Sequence, residues 1–117
     1  MMKTTNPQLL ETIRMLKKAS RTHDAEVWRT LSNELLRSKH RRASVNLSHI
    51  SRSLREGETA AVPGKVLGAG NPRKISVAAF DFSEMARRKI GEKGGECLSL
   101  GELIERNPKG SGVRIIG

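Results

Sequence analysis

Residues 37–55 carry six Lys or Arg side chains and no Asp or Glu, and this run constrains the fold more than any other feature of the sequence. A segment without carboxylates cannot neutralise its own charge, and burying unpaired cations costs far too much free energy. We therefore expect the run to face solvent or an anionic partner. Its Ser and Asn side chains add polar groups among the cations, a mixture that suits a phosphate backbone.

The other charges are spread unevenly along the chain. Net charge is +2 for residues 1–36, +6 for 37–55, +1 for 56–80, −2 for 81–105 and +3 for 106–117, which makes +10 in all. This excess of positive charge favours nucleic acid as a partner, with an anionic membrane surface as the weaker alternative. The acidic block 81–105 is the part least suited to phosphate.

A chain of 117 residues suits a single domain, and its large aromatic residues are one Trp and two Phe, so we expect a mostly aliphatic core. No stretch approaches the roughly 18 consecutive apolar residues of a membrane span, and we expect a soluble, unprocessed protein. The single Cys97 permits no internal disulfide, which fits a reducing cytosol.

The first 36 residues predict two helices. Asn6 is a residue type that favours the N-cap, and Pro7 is one that favours the first position of a helix. Apolar residues then recur at helical spacing. We therefore expect a helix that ends near Ala19. After a short polar turn, Asp24 and Glu26 favour the positive end of a second helix. Two helices joined this closely should pack antiparallel as a hairpin.

Trp28 lies at helical spacing among the leucines of the second helix. It can be read as a platform for stacking bases or as a core residue. Aromatic residues in such a pattern belong to the core far more often, so we assign Trp28 to the core.

The middle of the chain predicts extended structure. Apolar and polar residues alternate over 45–50, which indicates a short extended segment after a loop of cations. Residues 60–67 indicate a strand broken at 63–64, and 75–82 is the most strand-like run in the chain. Gly, Asn and Pro at 68–72 predict a turn between these two neighbouring strands.

The last third of the chain predicts alternating helices and strands. Ser83 is a good N-cap, and Ser99 with Glu102 matches a capping box. The predicted elements are a helix after Ser83 closed by Gly94-Gly95, a strand at 96–98, a helix to about Arg106 and a strand at 113–116.

The glycine-rich motifs that bind nucleotides are incomplete. The dinucleotide-binding pattern that would start at Gly68 needs a glycine where Arg73 stands, and the P-loop pattern at Lys65 needs Ser or Thr where Val66 stands. The glycines are therefore interpreted as turn residues.

The sequence lacks the residue patterns that enzymatic catalysis or metal binding would need. One cysteine and three dispersed histidines give no zinc-ligand spacing, and His40 and His49 are interpreted as auxiliary donors or half-buried residues. Glu56 and Glu58 are interpreted as surface residues, and Cys97 as a buried, inert thiol. We expect no catalytic residue, no metal, no cofactor and no small-molecule substrate.

Aromatic residues are absent from every basic segment, and the chain has no Tyr. Stacking on single-stranded bases is therefore not expected. Recognition through phosphates and the shape of folded RNA is the mode that remains, with 2′-hydroxyls as further partners.

The second half, VPGKVLGAGNPRKISVAAFDFSEMARRKIGEKGGECLSLGELIERNPKGSGVRIIG, resembles the large-subunit ribosomal protein family numbered eighteen in archaea and eukaryotes, a relative of the universal fifteenth large-subunit protein. The upstream RRASVNLSHISR is similar to the basic motif before that family's first strand. The resemblance covers nearly the whole chain, with KGGECLSLGEL and NPKGSGV as its most specific segments. The short length is more similar to archaeal members.

The resemblance implies a non-catalytic constituent of the large ribosomal subunit that takes part in translation in the cytoplasm. It also implies that the protein binds ribosomal RNA and lies beside neighbouring ribosomal proteins. It implies an α/β fold with an irregular strand-strand-helix core behind an N-terminal helical hairpin. Motif positions that carry over are Arg41, Arg42, Ser44, Asn46 and Ser48, with Lys109, Gly110 and Gly112 in the last turn. A free RNA- or DNA-binding chaperone is the alternative, followed by an RNA-modifying enzyme or an adaptor for acidic proteins.

We thus expect one domain, 1–117, made of a helical extension (1–36), a basic RNA-facing segment (37–55) and a mixed α/β core (56–117). No homo-oligomer and no membrane contact are expected. The predicted RNA-binding residues share a basic or hydrogen-bonding side chain in an acid-free run or a turn. They are Arg37, Lys39, His40, Arg41, Arg42, Ser44, Asn46, Ser48, Arg52, Arg55, Lys65, Arg73, Lys74, Lys109 and Arg114.

Overall fold

The structure is a computed structural model, and it describes residues 7–37 and 43–117. These residues contain five helices and five strands. In chain order they are α1 (Pro7–His23), α2 (Glu26–Arg37), β1 (Ala43–Asn46), α3 (Leu47–Ser53), β2 (Thr59–Leu67), β3 (Ser76–Phe82), α4 (Glu84–Glu92), β4 (Glu96–Ser99), α5 (Leu100–Arg106) and β5 (Val113–Ile115). The predicted α/β class with N-terminal helices is confirmed.

The strands form one parallel sheet in the order β1-β2-β3-β4. One edge of β2 is shared by two short strands, because β5 pairs with Thr59–Ala61 and β1 pairs with Gly64–Leu67. The predicted break at 63–64 is a shift of the β2–β3 register between Val62 and Lys65, and β2 runs through it. Proline has no backbone N–H for the ladder, so this is where the pairing changes.

Helices cover both faces of the sheet and bury two hydrophobic clusters. On one face α1, α2 and α5 pack around Ala61, Ala78 and Leu98. On the other face α3 and α4 pack against Val62, Val77 and their neighbours. A parallel sheet that is buried on both sides explains the runs of Val and Ala in β2 and β3.

The N-terminal hairpin is longer and tighter than predicted. α1 continues to His23, four residues past Ala19, and the turn is reduced to Asp24 and Ala25, with Asp24 at φ 52°. Polar residues 20–23 do not end the helix, because they lie on its outer side and need no burial. Pro7 is the first helical residue, as predicted.

Trp28 is fully buried, which confirms its assignment to the core. Its indole Nε1 donates a hydrogen bond of 2.8 Å to the Pro108 carbonyl oxygen. The same turn brings Gly110, at φ 73°, against Val27. Contacts from Trp28 and Val27 therefore fix the α5–β5 turn to the N-terminal hairpin.

The predicted extended segment at 45–50 is wrong in its second half. β1 ends at Asn46, and residues 47–53 form the helix α3. Leu47 and Ile50 are fully buried and Leu54 nearly so, and this i, i+3, i+7 pattern places all three on one helical face. Alternation over six residues could not distinguish this face from a strand.

The predicted helix starts in the last third of the chain are confirmed. The Ser83 hydroxyl accepts from the Ala86 backbone N–H at 3.1 Å at the start of α4. Ser99 and Glu102 form the complete capping box of α5, with bonds of 3.0 and 2.8 Å. The final strand is one residue shorter than predicted and ends at Ile115.

Candidate nucleic-acid interface

The β2–β3 connection, residues 68–75, runs alongside α3 and brings predicted site residues together. At the start of α3, the Ser48 backbone N–H donates to the Ala69 carbonyl oxygen at 3.0 Å. The Asn46 Oδ1 atom accepts from the Ala69 N–H at 3.2 Å. Since this oxygen is the acceptor, the Asn46 amide keeps its N–H donors for an external partner.

Arg73 joins the other end of the connection to the last turn of α3. Its guanidinium Nη2 donates to the Ser51 carbonyl oxygen at 3.0 Å and to the Leu54 carbonyl oxygen. The last carbonyl groups of a helix lack intrahelical partners, and Arg73 satisfies them here. A guanidinium has five N–H donors, so the exposed Arg73 side chain retains donors for an external acceptor.

Lys89 of α4 binds the first residues of the connection, and sequence reasoning missed it. Its Nζ donates to the Gly68 carbonyl oxygen at 2.7 Å and to the Gly70 carbonyl oxygen at 2.9 Å. Gly70 has φ 105°, and a Cβ there would lie 2.8 Å from the Ser48 backbone nitrogen. Lys89 therefore ties the connection to α4, and Gly70 permits its close approach to α3.

Six of the predicted residues consequently lie in one layer, made of α3, the residues that flank its two ends, and the connection beside it. We call them the α3 surface: Asn46, Ser48, Arg52, Arg55, Arg73 and Lys74. The four cations are exposed, while the two polar residues are half-buried at the start of the helix.

A groove of about 480 Å³ lies between the end of α3 and the start of β3, and Arg55, Arg73 and Lys74 contribute to its wall. Two carboxylates, Glu56 and Glu58, also line it. The lining of the groove is thus a mixture of basic and acidic side chains.

Two cations of the α3 surface differ in their ion pairing from six other cations of the described ranges, each of which has a carboxylate partner. Side-chain ion pairs in the described ranges join Arg29 to Glu26, Arg37 to Glu34, Lys65 to Asp81, Arg88 to Glu92, Arg106 to Glu96 and Arg114 to Glu58. Within residues 7–37 and 43–117, the Arg52 and Lys74 side chains have no carboxylate or hydrogen-bond partner. Both are therefore available to an external anion.

The remaining predicted residues do not join this surface. Lys39, His40, Arg41 and Arg42 lie outside the described residues. Ser44 neighbours Lys65 across the β1–β2 ladder, and Lys65 approaches Asp81 at 4.0 Å. Arg37 ends α2, and Lys109 is exposed in the turn before β5.

Arg114 is half-buried, because it pairs with Glu58. Its Nε and Nη2 atoms donate to the two Glu58 carboxylate oxygens at 2.8 and 3.1 Å. Glu58 Oε1 also accepts from the Arg55 backbone N–H at 2.8 Å. The Arg114 hydrogen bonds are the main cause that holds the pKa of Glu58 below its ordinary value, and the Arg55 N–H adds to it.

This pair predicts how stability depends on pH. The folded-state pKa of Glu58 is lowered from 4.5, so the pair stabilises the fold above about pH 4.5 and loses this effect as pH falls through the lowered pKa. We expect Glu58→Gln to lower stability at pH 7 and to reduce the loss of stability on acidification. Urea unfolding at several pH values measures this.

Glu56→Gln is the matched control, because Glu56 is exposed and forms no ion pair among the described side chains. It should leave stability at pH 7 nearly unchanged. Equal effects of the two substitutions would contradict the structural role of the Glu58–Arg114 pair.

Other sites that the sequence raised show no reactive arrangement. Cys97 is half-buried in β4, and burial raises the pKa of its thiol, so the neutral thiol is favoured at pH 7. Among the described residues, no three His, Cys, Asp or Glu side chains form a group suited to a metal ion. No helix in the described part of the chain has the length and apolar composition needed to cross a membrane.

Comparison with known families identifies the chain. The model of the family described as ribosomal protein 60S L18 and 50S L18e matches residues 1–117. The chain belongs to this family. This confirms the resemblance seen in the sequence motifs. The L18e family model matches the full length of the chain, including the N-terminal hairpin.

Three archaeal relatives of this L18e-family chain bear the name large ribosomal subunit protein eL18. The relative from Methanosphaerula palustris is 49% identical over 97% of this chain and 95% of its own length. Those from Methanospirillum hungatei and Archaeoglobus fulgidus are 46% and 42% identical, over 96% and 98% of this chain and 93% and 99% of their own lengths. The similarity to archaeal members agrees with the short chain.

Proposed function

We propose that this protein is a structural constituent of the large ribosomal subunit in the cytoplasm, that it binds folded ribosomal RNA, and that it catalyses no reaction. The observation that carries this function is the α3 surface, where Arg52 and Lys74 are exposed without a carboxylate partner in the described ranges. Membership of the L18e family supports the ribosomal setting.

The side chains of the α3 surface favour contact with phosphates over contact with base edges. Arg73 is fixed by two carbonyl oxygens, so its remaining donors have a defined direction and little entropy is lost on binding. Arg and Lys bind phosphate oxygens in charge-assisted hydrogen bonds, which are stronger than neutral ones. The Asn46 amide and the Ser48 hydroxyl add neutral groups suited to phosphates or 2′-hydroxyls.

Base stacking is not part of the proposed mode, and Phe80 is half-buried in β3. Trp28 is in the core, and Phe82 is buried beneath the Arg87 guanidinium, 5.0 Å from its ring centroid. No aromatic side chain belongs to the α3 surface. Recognition therefore depends on backbone charge and on the shape of folded RNA.

The same proposal extends to residues 38–42 of the basic run, which precede the α3 surface in the chain. Arg41 and Arg42 directly precede β1, whose end leads into α3. We propose that they contact the same RNA as the α3 surface, together with the other predicted residues Lys39 and His40. Neighbouring ribosomal proteins are the other proposed partners.

Co-sedimentation with large subunits tests the function. We expect the protein to stay with purified large subunits through washes at high salt, because a folded RNA site supplies many simultaneous contacts. A free RNA- or DNA-binding chaperone would instead form a pool with equal affinity for any duplex. Release at moderate salt together with such uniform affinity would overturn the ribosomal proposal.

A further inference from the structure

The outer face of α1 carries four cations that the sequence reasoning did not assign to any site: Arg14, Lys17, Lys18 and Arg21. Their spacing of i, i+3, i+4 and i+7 places them in one stripe about 100° wide and about 10 Å long. The buried residues Leu9, Ile13 and Leu16 lie on another side of the helix. All four cations are exposed.

The protein does not neutralise this stripe within the described ranges. No ion pair or hydrogen bond joins any of the four side chains to another described residue, including Glu11, the single carboxylate of α1. Cations at i, i+3 and i+4 repel one another and destabilise a helix. The stripe therefore opposes the stability of α1 when no anion is present.

The adjacent helix provides the contrast. The exposed cations of α2, Arg29 and Arg37, pair with Glu26 at 3.6 Å and with Glu34 at 3.3 Å. The described part of α2 is thus electrically neutral, while α1 has a net charge of +3. Excess positive charge on this hairpin is concentrated on the outer face of α1.

The stripe and the α3 surface lie on opposite sides of the molecule. α1 belongs to the helical layer on one face of the sheet, and α3 belongs to the layer on the other face. The sheet therefore separates the two basic surfaces. A single RNA strand running along α3 does not reach α1 without passing around the sheet.

We propose that the outer face of α1 binds the phosphate backbone of a second RNA segment, so that one molecule bridges two RNA segments across its sheet. This inference rests on the proposed function, because it assigns a second RNA contact to a protein already taken to bind RNA through α3. Charge complementarity selects the occupant: four unpaired cations along about 10 Å match a row of phosphates.

A bridging measurement tests the proposal with the full chain. One short RNA duplex is fixed to beads, and a second, fluorescent duplex is retained only if the protein binds both. The triple variant Lys17→Gln, Lys18→Gln, Arg21→Gln should still bind the fixed duplex through the α3 surface but should retain at least tenfold less of the second. Its thermal midpoint should equal or exceed that of the wild type, because repulsion along α1 is relieved.

The matched control removes three cations that already have carboxylate partners: Arg29→Gln, Arg88→Gln and Arg106→Gln. It has the same net charge as the α1 variant and should bridge as well as the wild type. Equal bridging by the two variants would overturn the α1 proposal while leaving the α3 function intact. Salt-independent binding of the fixed duplex by the wild type would instead contradict the proposed function itself.

Two other outcomes also decide the question. A lower thermal midpoint in the α1 variant would contradict the unrelieved repulsion along α1 from which the proposal is argued. Unchanged bridging by the α1 variant, whether or not it still joins large subunits, would likewise overturn the proposal.

Discussion

Replacing Arg52 and Lys74 with glutamine should weaken binding to folded large-subunit ribosomal RNA on the order of 100-fold, since two charge-assisted contacts of about 1.5 kcal/mol each are lost. The same change should reduce the slope of log affinity against log salt by about two, close to one per phosphate contact. Both side chains are exposed and unpaired among the described residues, so their removal should leave the fold intact. Affinity measured at four or five salt concentrations gives both quantities.

The control for this prediction is Arg88→Gln with Arg106→Gln, which removes the same net charge. Arg88 approaches Glu92 at 4.0 Å, and Arg106 binds Glu96 at 2.7 Å, so each already has a carboxylate partner. The control should change affinity only slightly and leave the salt slope nearly unchanged. Identical slopes in the two variants would mean that net charge, and not the α3 surface, determines binding.

Trp28→Ala should destabilise the fold by about 3–5 kcal/mol, the largest effect expected for a single substitution here. The side chain is fully buried in the cluster formed by the hairpin and the sheet. Its loss leaves a large cavity and removes the hydrogen bond to the Pro108 carbonyl oxygen, which fixes the α5–β5 turn. Urea unfolding followed by circular dichroism measures the change.

Leu36→Ala is the comparison on the same helix, because Leu36 is 41% exposed. A substitution of this kind on the surface should change stability by less than about 1 kcal/mol. Trp28→Phe separates the two contributions, since it keeps most of the apolar volume but leaves the Pro108 carbonyl unpaired. A cost for Trp28→Ala no larger than that for Leu36→Ala would contradict the placement of Trp28 in the core.

Local signals explain which elements the sequence predicted well. The serine caps at 83 and 99 determine a hydrogen bond within four residues, so their helices begin where the pattern predicts. The strand at 75–82 is long and apolar enough to be recognised without its neighbours. These features, with the family motifs, were sufficient for the α/β class.

Elements that depend on distant contacts were predicted less well. Residues 47–53 form a helix because Leu47 and Ile50 fill one cluster on the sheet, and this cluster includes residues up to Ile116. Residues 20–23 extend α1 although their side chains are polar. Neither outcome follows from propensities within a short window.

The predicted site shows the same division. Charge counting located the acid-free run but could not tell which cations have partners inside the protein. Lys89 binds backbone carbonyls, and Arg114 binds Glu58, a residue 56 positions away. Arg14 and Lys17 on α1 were passed over because their segment has a modest net charge. Only the fold separates cations used for structure from those left for a partner.

Arginine-selective chemical labelling of the full chain, read by mass spectrometry with and without folded large-subunit ribosomal RNA, tests the central claim most directly. Arg29 serves as the internal reference, because it is exposed on α2, on the other side of the sheet, and is paired with Glu26. The account predicts that RNA strongly protects Arg52 and Arg55 on the α3 surface and leaves Arg29 reactive. Equal labelling of Arg52, Arg55 and Arg29 in the presence of bound RNA would contradict it.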